Sequence, residues 1–293
     1  MLRGIATTIL LLLNLLLWGT LVVLFGVVKF AVHMIAPRSR LRTRVILGLS
    51  WLAEHWVEGN DRIFDLMLPT KWDVEGPFDA IQRDGRYLII SNHVSWVDIF
   101  VNFRVFHGRA AFIRFFLKQQ LIWFPIVGQA VWALEFPFMR RYSAEYLHRH
   151  PEKRGRDLET ARRACQRYRH IPVTILAFVE GTRFTEEKRA DQDSPYRHLL
   201  RPRVGAIGFV LASLGDQLDA MFDVTLAYPG RDVTFWQFVS GQVPRIVVRA
   251  RRVDVPPEFF NAEIVEPGPS RDRFKEWIDS IWREKDALLA TLE

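Results

Sequence analysis

A histidine and an aspartate with the spacing of a catalytic pair follow a short apolar segment. Residues 87–91 lead directly into Asn92 and His93, and Asp98 comes five positions after the histidine. A carboxylate that accepts one imidazole N–H fixes the tautomer and leaves the other nitrogen to take a proton. Positions five apart on one helix point about 140° apart, so His93 is expected in the turn before a helix, with Ser95 as its N-cap. Alone, this spacing is more typical of a histidine at a helix entry with an ordinary surface aspartate than of a catalytic pair.

A second cluster of polar residues follows another apolar segment. Residues 173–179 end in the sequence Glu180, Gly181, Thr182, Arg183. Glycine lets the backbone turn sharply, and arginine can donate two parallel hydrogen bonds to a phosphate. Alone, the pattern is typical of a tight turn with a solvated arginine. Because ligands of α/β sheets bind at the carboxyl ends of strands, we expect this cluster to lie near His93.

Two further basic positions lie between these clusters. Lys118 begins the stretch 118–125, and Arg141 ends the stretch 138–141; both stretches are rich in aromatic and apolar residues. This pattern is typical of a groove with an apolar wall and a cationic end, whereas a solvated face explains the flanking aromatics poorly. A basic cluster surrounds residues 157–169 and indicates a solvated face or a docking site for a carrier protein or membrane. It comprises Arg154, Arg156, Arg162, Arg163, Arg167 and Arg169.

Composition limits the class of protein. The 293 residues are 49% hydrophobic and include 10 Trp and 22 Phe, which excludes a disordered chain. The single cysteine, Cys165, excludes a disulfide framework and a multi-cysteine metal site. The 40 basic and 33 acidic side chains give a net charge of +7, which favours an anionic partner such as nucleic acid, phosphate or an acidic membrane surface.

The N-terminal residues predict a membrane helix. Residues 4–28 carry no charged side chain, and as a helix they would extend about 37 Å, enough to cross a hydrocarbon layer about 30 Å thick. A cleaved signal peptide is disfavoured because the apolar stretch is too long and a basic stretch follows it. Only Arg3 precedes the segment, and several basic residues follow it between positions 29 and 44. The positive-inside rule therefore places the remainder of the chain in the cytoplasm.

A second apolar stretch, residues 45–57, is interrupted by Glu54 and His55 and is short for a span. We expect it to form an interfacial helix; a re-entrant pair with both ends in the cytoplasm is the alternative. The expected division is therefore an N-terminal membrane part, residues 1–60, with a transmembrane and an interfacial helix, and a cytoplasmic domain, residues 61–293.

The body of the chain alternates predicted strands and helices, which indicates an α/β domain. The predicted strands are residues 87–91, 110–113, 173–179, 224–228 and 246–250. The predicted helices are residues 98–106, 157–168, 203–214 and 271–292, the last preceded by a proline-rich loop.

In their order and spacing, these motifs resemble those of the PlsC-type glycerolipid acyltransferases, the 1-acylglycerol-3-phosphate acyltransferase family. Asn92, His93 and Asp98 resemble the NHx4D signature, and residues 180–183 resemble the EGTR block. Residues 138–141 resemble the F-x-x-R block, residues 118–125 the KxxLxxxP segment, and residues 224–229 the last block. Stretches such as FLKQQL and PFMRRYSAEYL are similar to the bacterial YihG-type branch. The chain departs from the pattern at Glu135, where many relatives have glycine.

The resemblance implies a mixed sheet flanked by helices, preceded by a membrane helix or helix pair. It also implies acyl transfer from acyl-CoA or acyl carrier protein to the sn-2 hydroxyl of a lysophospholipid, with 1-acyl-sn-glycerol-3-phosphate giving phosphatidic acid. His93 and Asp98 would be catalytic, and backbone amides at the start of the following helix would hold the thioester oxyanion. The implied substrate-binding residues are Glu180, Gly181, Thr182, Arg183, Arg141, Lys118, Asn92 and Ser95. No metal and no cofactor are expected, and the implied location is the bacterial inner membrane with a cytoplasmic catalytic domain.

Two alternatives stay open from the sequence. One is an acyltransferase that remodels another lysophospholipid, and the other is a non-catalytic, membrane-anchored lipid-binding protein on the same fold. The base–carboxylate pair favours an enzyme, because a binding module has no need of one. Nucleic acid is not an expected partner, since no recognised motif accompanies the positive charge.

Overall fold

The computed structural model describes residues 1–36, 39–139, 149, 165–166, 168–169, 171–230 and 233–292. Within this part of the chain, eight strands lie in two sheets: β1 (Lys71–Glu75), β2 (Arg86–Ser91), β3 (Ile113–Phe115), β4 (Leu117–Lys118), β5 (Phe138–Met139), β6 (Val173–Phe178), β7 (Ala220–Ala227) and β8 (Arg245–Val253). The described helices are α1 (Leu2–Ile35), α2 (Arg40–Met67), α3 (Val97–Phe106), α4 (Val127–Ala133), α5 (Glu186–Asp191), α6 (Gly205–Leu214), α7 (Phe235–Val239) and α8 (Pro269–Leu292).

The main sheet has six strands in the order β1-β8-β7-β2-β6-β3. Strands β7 and β8 are antiparallel, and the other neighbours are parallel. The predicted α/β domain with a mixed sheet is therefore confirmed. Because β2 lies between β6 and β7 and is parallel to both, the three carboxyl ends meet at one edge of the sheet. The short strands β4 and β5 pair separately.

Helices cover both faces of the sheet, which explains why its central strands are almost uniformly apolar. Along β2, Ile89 faces a core shared with α1, α2, α3, α4 and α7. Leu88 and Ile90 face the opposite core, which includes residues of α6 and α8. Alternate residues of one strand thus enter two different cores, as the period of a strand requires.

Helices α1 and α2 form an antiparallel pair. Helix α1 has 34 residues and is long and apolar enough to cross a membrane. Asn14 joins the pair, since its Nδ2 donates to Trp56 O at 2.8 Å and to Asn60 Oδ1 at 3.0 Å. Helix α2 is longer than the expected segment 45–57 and ends at Met67, so residue 60 falls inside it rather than at a boundary.

Helix α1 also lies along the α/β domain. A Cβ added to Gly4 would lie 2.3 Å from Ser240 Oγ, and one added to Gly26 would lie 2.7 Å from Ala133 Cβ. Both regions of the helix therefore contact the same domain, about 33 Å apart along the helix axis. Helix α1 therefore does not stand clear of the α/β domain.

Most predicted elements are present, with shifted ends. The strand expected at residues 110–113 begins instead at Ile113. Strands β1, β4 and β5 and helices α4, α5 and α7 were not predicted. Residues 165, 166 and 168 of the helix expected at residues 157–168 are described and helical, and the rest of it lies outside the described residues. Nearly all of its basic cluster lies outside them as well; Arg169, which is described, pairs with Asp216.

Candidate active site

The turn between β2 and α3 brings His93 and Asp98 together. His93 Nδ1 lies 2.8 Å from Asp98 Oδ2, and the aspartate side chain is completely buried. The imidazole stacks on Phe178 of β6, with ring centroids 4.0 Å apart and an 18° angle between the planes. The ring is thus fixed at Nδ1 and on one face, and Nε2 is the nitrogen that can accept a proton.

Asp98 is itself held by several donors. Its Oδ2 accepts the main-chain N–H groups of Val94 at 2.6 Å and Ser95 at 2.8 Å. Its Oδ1 accepts the hydroxyl of Tyr228 at 2.5 Å. Burial and the neighbouring carboxylate raise the pKa of Tyr228 well above its usual value, so the hydroxyl stays protonated and donates. The carboxylate that orients the histidine therefore has one defined position.

Four main-chain amides around the start of α3 have acceptors within the turn itself. The N–H groups of Val94 and Ser95 donate to Asp98. The Val97 N–H donates to Ser95 Oγ at 3.2 Å, and the Asp98 N–H donates to Ser95 O at 3.2 Å. The N-cap of α3 is Trp96 rather than the expected Ser95, although the Ser95 hydroxyl still accepts the N–H of Val97. These four amides therefore already have acceptors.

Glu180 lies behind the histidine rather than in an open pocket. Its Oε2 accepts the main-chain N–H of His93 at 3.1 Å, and its Oε1 accepts that of Leu200 at 3.2 Å. The residue is completely buried, and this burial raises the pKa of its carboxyl to about 8. In this position the carboxyl fixes the backbone of His93, a different task from the expected contact with substrate.

The turn after Glu180 adds a cation beside the histidine. Gly181 has φ 69°, a left-handed conformation that favours glycine. Arg183 is exposed, and its guanidinium lies over the ring of Trp96 at 5.2 Å. Lys188 Nζ donates to Thr182 Oγ1 at 3.0 Å and to Arg183 O at 2.9 Å, which closes the turn.

Asn92 has a structural position. It is completely buried. Its Nδ2 donates to Leu226 O at 2.9 Å, and its Oδ1 accepts the Leu226 N–H at 2.8 Å. Both ends of the amide therefore join the end of β2 to β7, which places this expected substrate contact within the sheet.

Lys118 belongs to the separate two-stranded sheet rather than to the turns at the edge of the main sheet. Lys118 is exposed at the end of β4, opposite Met139 of β5. The pairing of these strands places residues 117–118 beside residues 138–139. Arg141 lies outside the described residues. In the part of the chain that the structure describes, no group of three or more His, Cys, Asp or Glu side chains could hold a metal ion.

The sequence analysis missed Phe178, Tyr228 and Lys188. A signal existed for two of them, because Phe178 ends β6 and Tyr228 directly follows β7, the two strands beside β2. Residues at the carboxyl ends of neighbouring parallel strands meet at one edge. Lys188 had no comparable signal, since it reaches back from α5.

Known proteins that are similar to this chain are acyltransferases. A family model described as Acyltransferase matches residues 73–228, slightly more than half of the chain. Lysocardiolipin acyltransferase 1 of Danio rerio is 27% identical, over 92% of this chain and 69% of the relative. The 1-acyl-sn-glycerol-3-phosphate acyltransferase 3 of Arabidopsis thaliana is 25% identical, over 92% of this chain and 70% of the relative.

Two further proteins are similar to the chain over less of their own length or at lower sequence identity. An uncharacterized acyltransferase of Schizosaccharomyces pombe is 25% identical, and the chain spans only 63% of its length. The crystal structure of the 1-acyl-sn-glycerophosphate acyltransferase of Thermotoga maritima has 16% sequence identity and a TM-score of 0.47, with 92% of this chain and 95% of that chain covered.

Proposed function

Because this chain belongs to the acyltransferase family, we propose that it transfers a fatty acyl group from a thioester to the sn-2 hydroxyl of a lysophospholipid. The observation that carries the proposal is the His93–Asp98 pair, with Nδ1 engaged at 2.8 Å and the carboxylate buried. A lipid-binding protein would not require a carboxylate held by Val94, Ser95 and Tyr228 behind a histidine.

In the proposed reaction, His93 Nε2 takes the proton of the acceptor hydroxyl as its oxygen attacks the thioester carbonyl. The new C–O bond forms, the C–S bond breaks, and the imidazolium returns the proton to the departing thiolate. Asp98 holds the ring and stabilises the imidazolium. His93 takes up one proton and releases it again within the reaction, so no cofactor is needed. The thioester substrate is acyl-CoA or acyl carrier protein.

The acceptor we propose is 1-acyl-sn-glycerol-3-phosphate, which would become phosphatidic acid. Arg183 is the cation beside the histidine, and a guanidinium suits the two oxygens of a phosphate. Lys118 and Arg141 are proposed to complete the phosphate site from the paired stretches that carry them. The relative named for lysocardiolipin makes another lysophospholipid the second candidate.

We further propose a location at the bacterial inner membrane with the α/β domain in the cytoplasm, as in the YihG-type branch. The apolar helix α1 supports membrane association, and the basic residues after it support the orientation. The positive net charge then serves lipid phosphates and the thioester substrate rather than nucleic acid.

A matrix of donors and acceptors tests the function. The purified full chain is mixed in detergent micelles with acyl-CoA or acyl carrier protein and with lysophosphatidic acid or other lysophospholipids. We expect free thiol and diacyl product, with lysophosphatidic acid the best acceptor. A different best acceptor would favour the remodelling enzyme. Binding of lysophospholipid without product, in every pairing, would contradict the enzyme and favour the binding protein.

A further inference from the structure

Two neighbouring aromatic residues project from the domain into open space. Trp123 is 84% exposed and Phe124 is 65% exposed. Trp123 ends the 3-10 helix Gln119–Trp123, and Phe124 follows it directly before Pro125; we call these two residues the aromatic tip. Large aromatic side chains that remain exposed side by side mark a surface that another apolar phase or partner covers.

The backbone holds the aromatic tip in one position. Ile126 has φ 64° and ψ −55°, in a region that β-branched residues rarely adopt. Gly128 packs tightly below it, because an added Cβ would lie 2.3 Å from Ile122 O. A strained residue persists only where its surroundings fix it, so the tip is a built feature of the fold.

The aromatic tip adjoins the membrane helix. Ile126 Cγ2 would lie 2.8 Å from a Cβ added to Gly19, so α1 has room for this side chain only because residue 19 is glycine. Three large apolar residues of α1 near Gly19 are exposed: Leu16, Leu17 and Leu21. The tip therefore extends the apolar outer surface of α1, and the phase that covers α1 can also cover the tip.

We propose that the aromatic tip inserts into the boundary between headgroups and acyl chains of a lipid bilayer, beside α1, and so holds Lys118 at the level of the lipid phosphates. Tryptophan and other aromatic side chains favour this boundary. Lys118 precedes Trp123 by five residues, a distance of about 10 Å at the rise of a 3-10 helix. Interfacial segments bury their apolar side about 5–10 Å into this layer, so the two spacings agree.

The insertion itself does not depend on acyl transfer. The position of Lys118 rests on the proposed function only where this lysine is taken to bind the acceptor phosphate. The competing occupant of the tip is a second copy of the chain, which would shield it from lipid and water alike. Measurements of membrane depth separate these cases without an activity assay.

The experiment uses the full chain with Cys165→Ala, so that each introduced cysteine is the only thiol. Phe124→Cys, Lys118→Cys and Phe260→Cys are labelled with a nitroxide and reconstituted in vesicles of phosphatidylethanolamine and phosphatidylglycerol. Phe260 is the control, because it is an aromatic residue, 36% exposed, that packs near Gly215 on the side of α6. Phe124→Cys keeps Trp123, and circular dichroism verifies that each variant is folded.

Collisions of the nitroxide with oxygen report lipid, and collisions with a water-soluble nickel chelate report water. We expect oxygen to dominate at position 124, both reagents to reach position 118, and nickel to dominate at position 260. Nickel access at position 124 equal to that at position 260 would overturn the proposal. Shielding of position 124 from both reagents would also overturn it and would indicate contact with a second copy.

Discussion

At the scale of single residues, His93 is held on several sides. Asp98 fixes Nδ1, and Phe178 covers one face of the ring. The main chain is fixed as well, since its N–H donates to Glu180 and its carbonyl accepts the Phe184 N–H at 2.7 Å. A base held in this way loses little entropy when the acceptor hydroxyl arrives.

Arg183→Ala should raise the KM for lysophosphatidic acid more than the KM for the thioester. The guanidinium is exposed above Trp96, so water screens it and the effect should be roughly tenfold, at the lower end for charge-assisted hydrogen bonds. Arg189→Ala is the control, since this arginine pairs with Glu186 in the next helix. Steady-state kinetics with each substrate varied supply the measurement. A defect confined to the thioester KM would show that Arg183 binds the other substrate.

Glu180→Gln should change how stability depends on pH. Burial raises the pKa of this carboxyl from 4.5 to about 8 in the folded protein, so between these values the folded state binds a proton that the unfolded state has released. Stability should therefore fall as pH rises from about 4.5 to about 8, and this fall should be smaller in the glutamine variant. Thermal unfolding in detergent at several pH values provides the measurement. Equal slopes for the two proteins would show that Glu180 is ionised throughout.

At the scale of elements, the end of α4 is where the helix pair joins the sheet domain. Three consecutive main-chain carbonyls there accept hydrogen bonds from side chains of separate parts of the chain. The Ala133 carbonyl accepts one from Lys29 at 2.6 Å, that of Leu134 one from Arg114 at 2.9 Å, and that of Glu135 one from Tyr168 at 2.5 Å. These bonds replace the helical partners that a C-terminus lacks. They also tie α1 and β3 to the segment that leads into β5.

Glu135→Gly should destabilise the protein although it relieves backbone strain. Glu135 has φ 63°, and its carboxylate lies 2.6 Å from Arg42 and 3.7 Å from Lys29. Relief of the left-handed conformation gains about 1 kcal/mol, whereas two largely buried cations without their carboxylate cost about 3 kcal/mol. The net loss should be roughly 2 kcal/mol, measured by thermal unfolding in detergent.

A matched control is available for this variant. Asp193 also has a positive φ, 46°, and its main-chain carbonyl rather than its carboxylate accepts Arg201, so Asp193→Gly should be neutral or stabilising. A double-mutant cycle of Glu135→Gly with Arg42→Ala should show that the two losses are not additive. Full additivity of the two losses in stability, or a Glu135→Gly variant more stable than wild type, would show that the ion pairs of Glu135 do not stabilise the protein.

The sequence predicts the buried strands of the sheet better than the strand at its edge. Residues 87–91 and 173–179 are uniformly apolar because both faces of their strands are covered, and the observed strands differ by one residue at one end. Strand β1 escaped detection because it lies at the edge of the sheet and carries Lys71, Asp73 and Glu75. Asp73 pairs with Arg249 of β8, a partner that no local pattern reveals.

The candidate site shows the same limit. His93 and Asp98 could be predicted because they share one turn, so their spacing in the chain fixes their meeting. The partner of Asp98 is Tyr228, which comes 130 residues later, and only the order of the strands brings it close. Glu180 was placed in the right region, but the direction of its carboxyl depends on Leu200, a contact that the motif does not contain.

At the scale of the whole molecule, one face of the sheet carries the helix pair and the other carries α6 and α8. We predict that the domain is inside the cell, because basic residues follow α1 and only Arg3 precedes its apolar stretch. A C-terminal tag should resist protease in right-side-out spheroplasts and be cleaved in inverted vesicles. Cleavage in intact spheroplasts would reverse the orientation and separate His93 from thioesters made in the cytoplasm.

The most direct test of the account is acyl transfer by purified His93→Ala, compared with wild type and with His107→Ala. His107 follows the other end of α3, so its variant tests for a general effect of removing a histidine from this region. A general base contributes about 10²–10⁴-fold, and we predict a loss of that size in lysophospholipid-dependent thiol release by folded His93→Ala, with His107→Ala near wild type. Turnover by folded His93→Ala close to that of wild type would contradict the proposed mechanism.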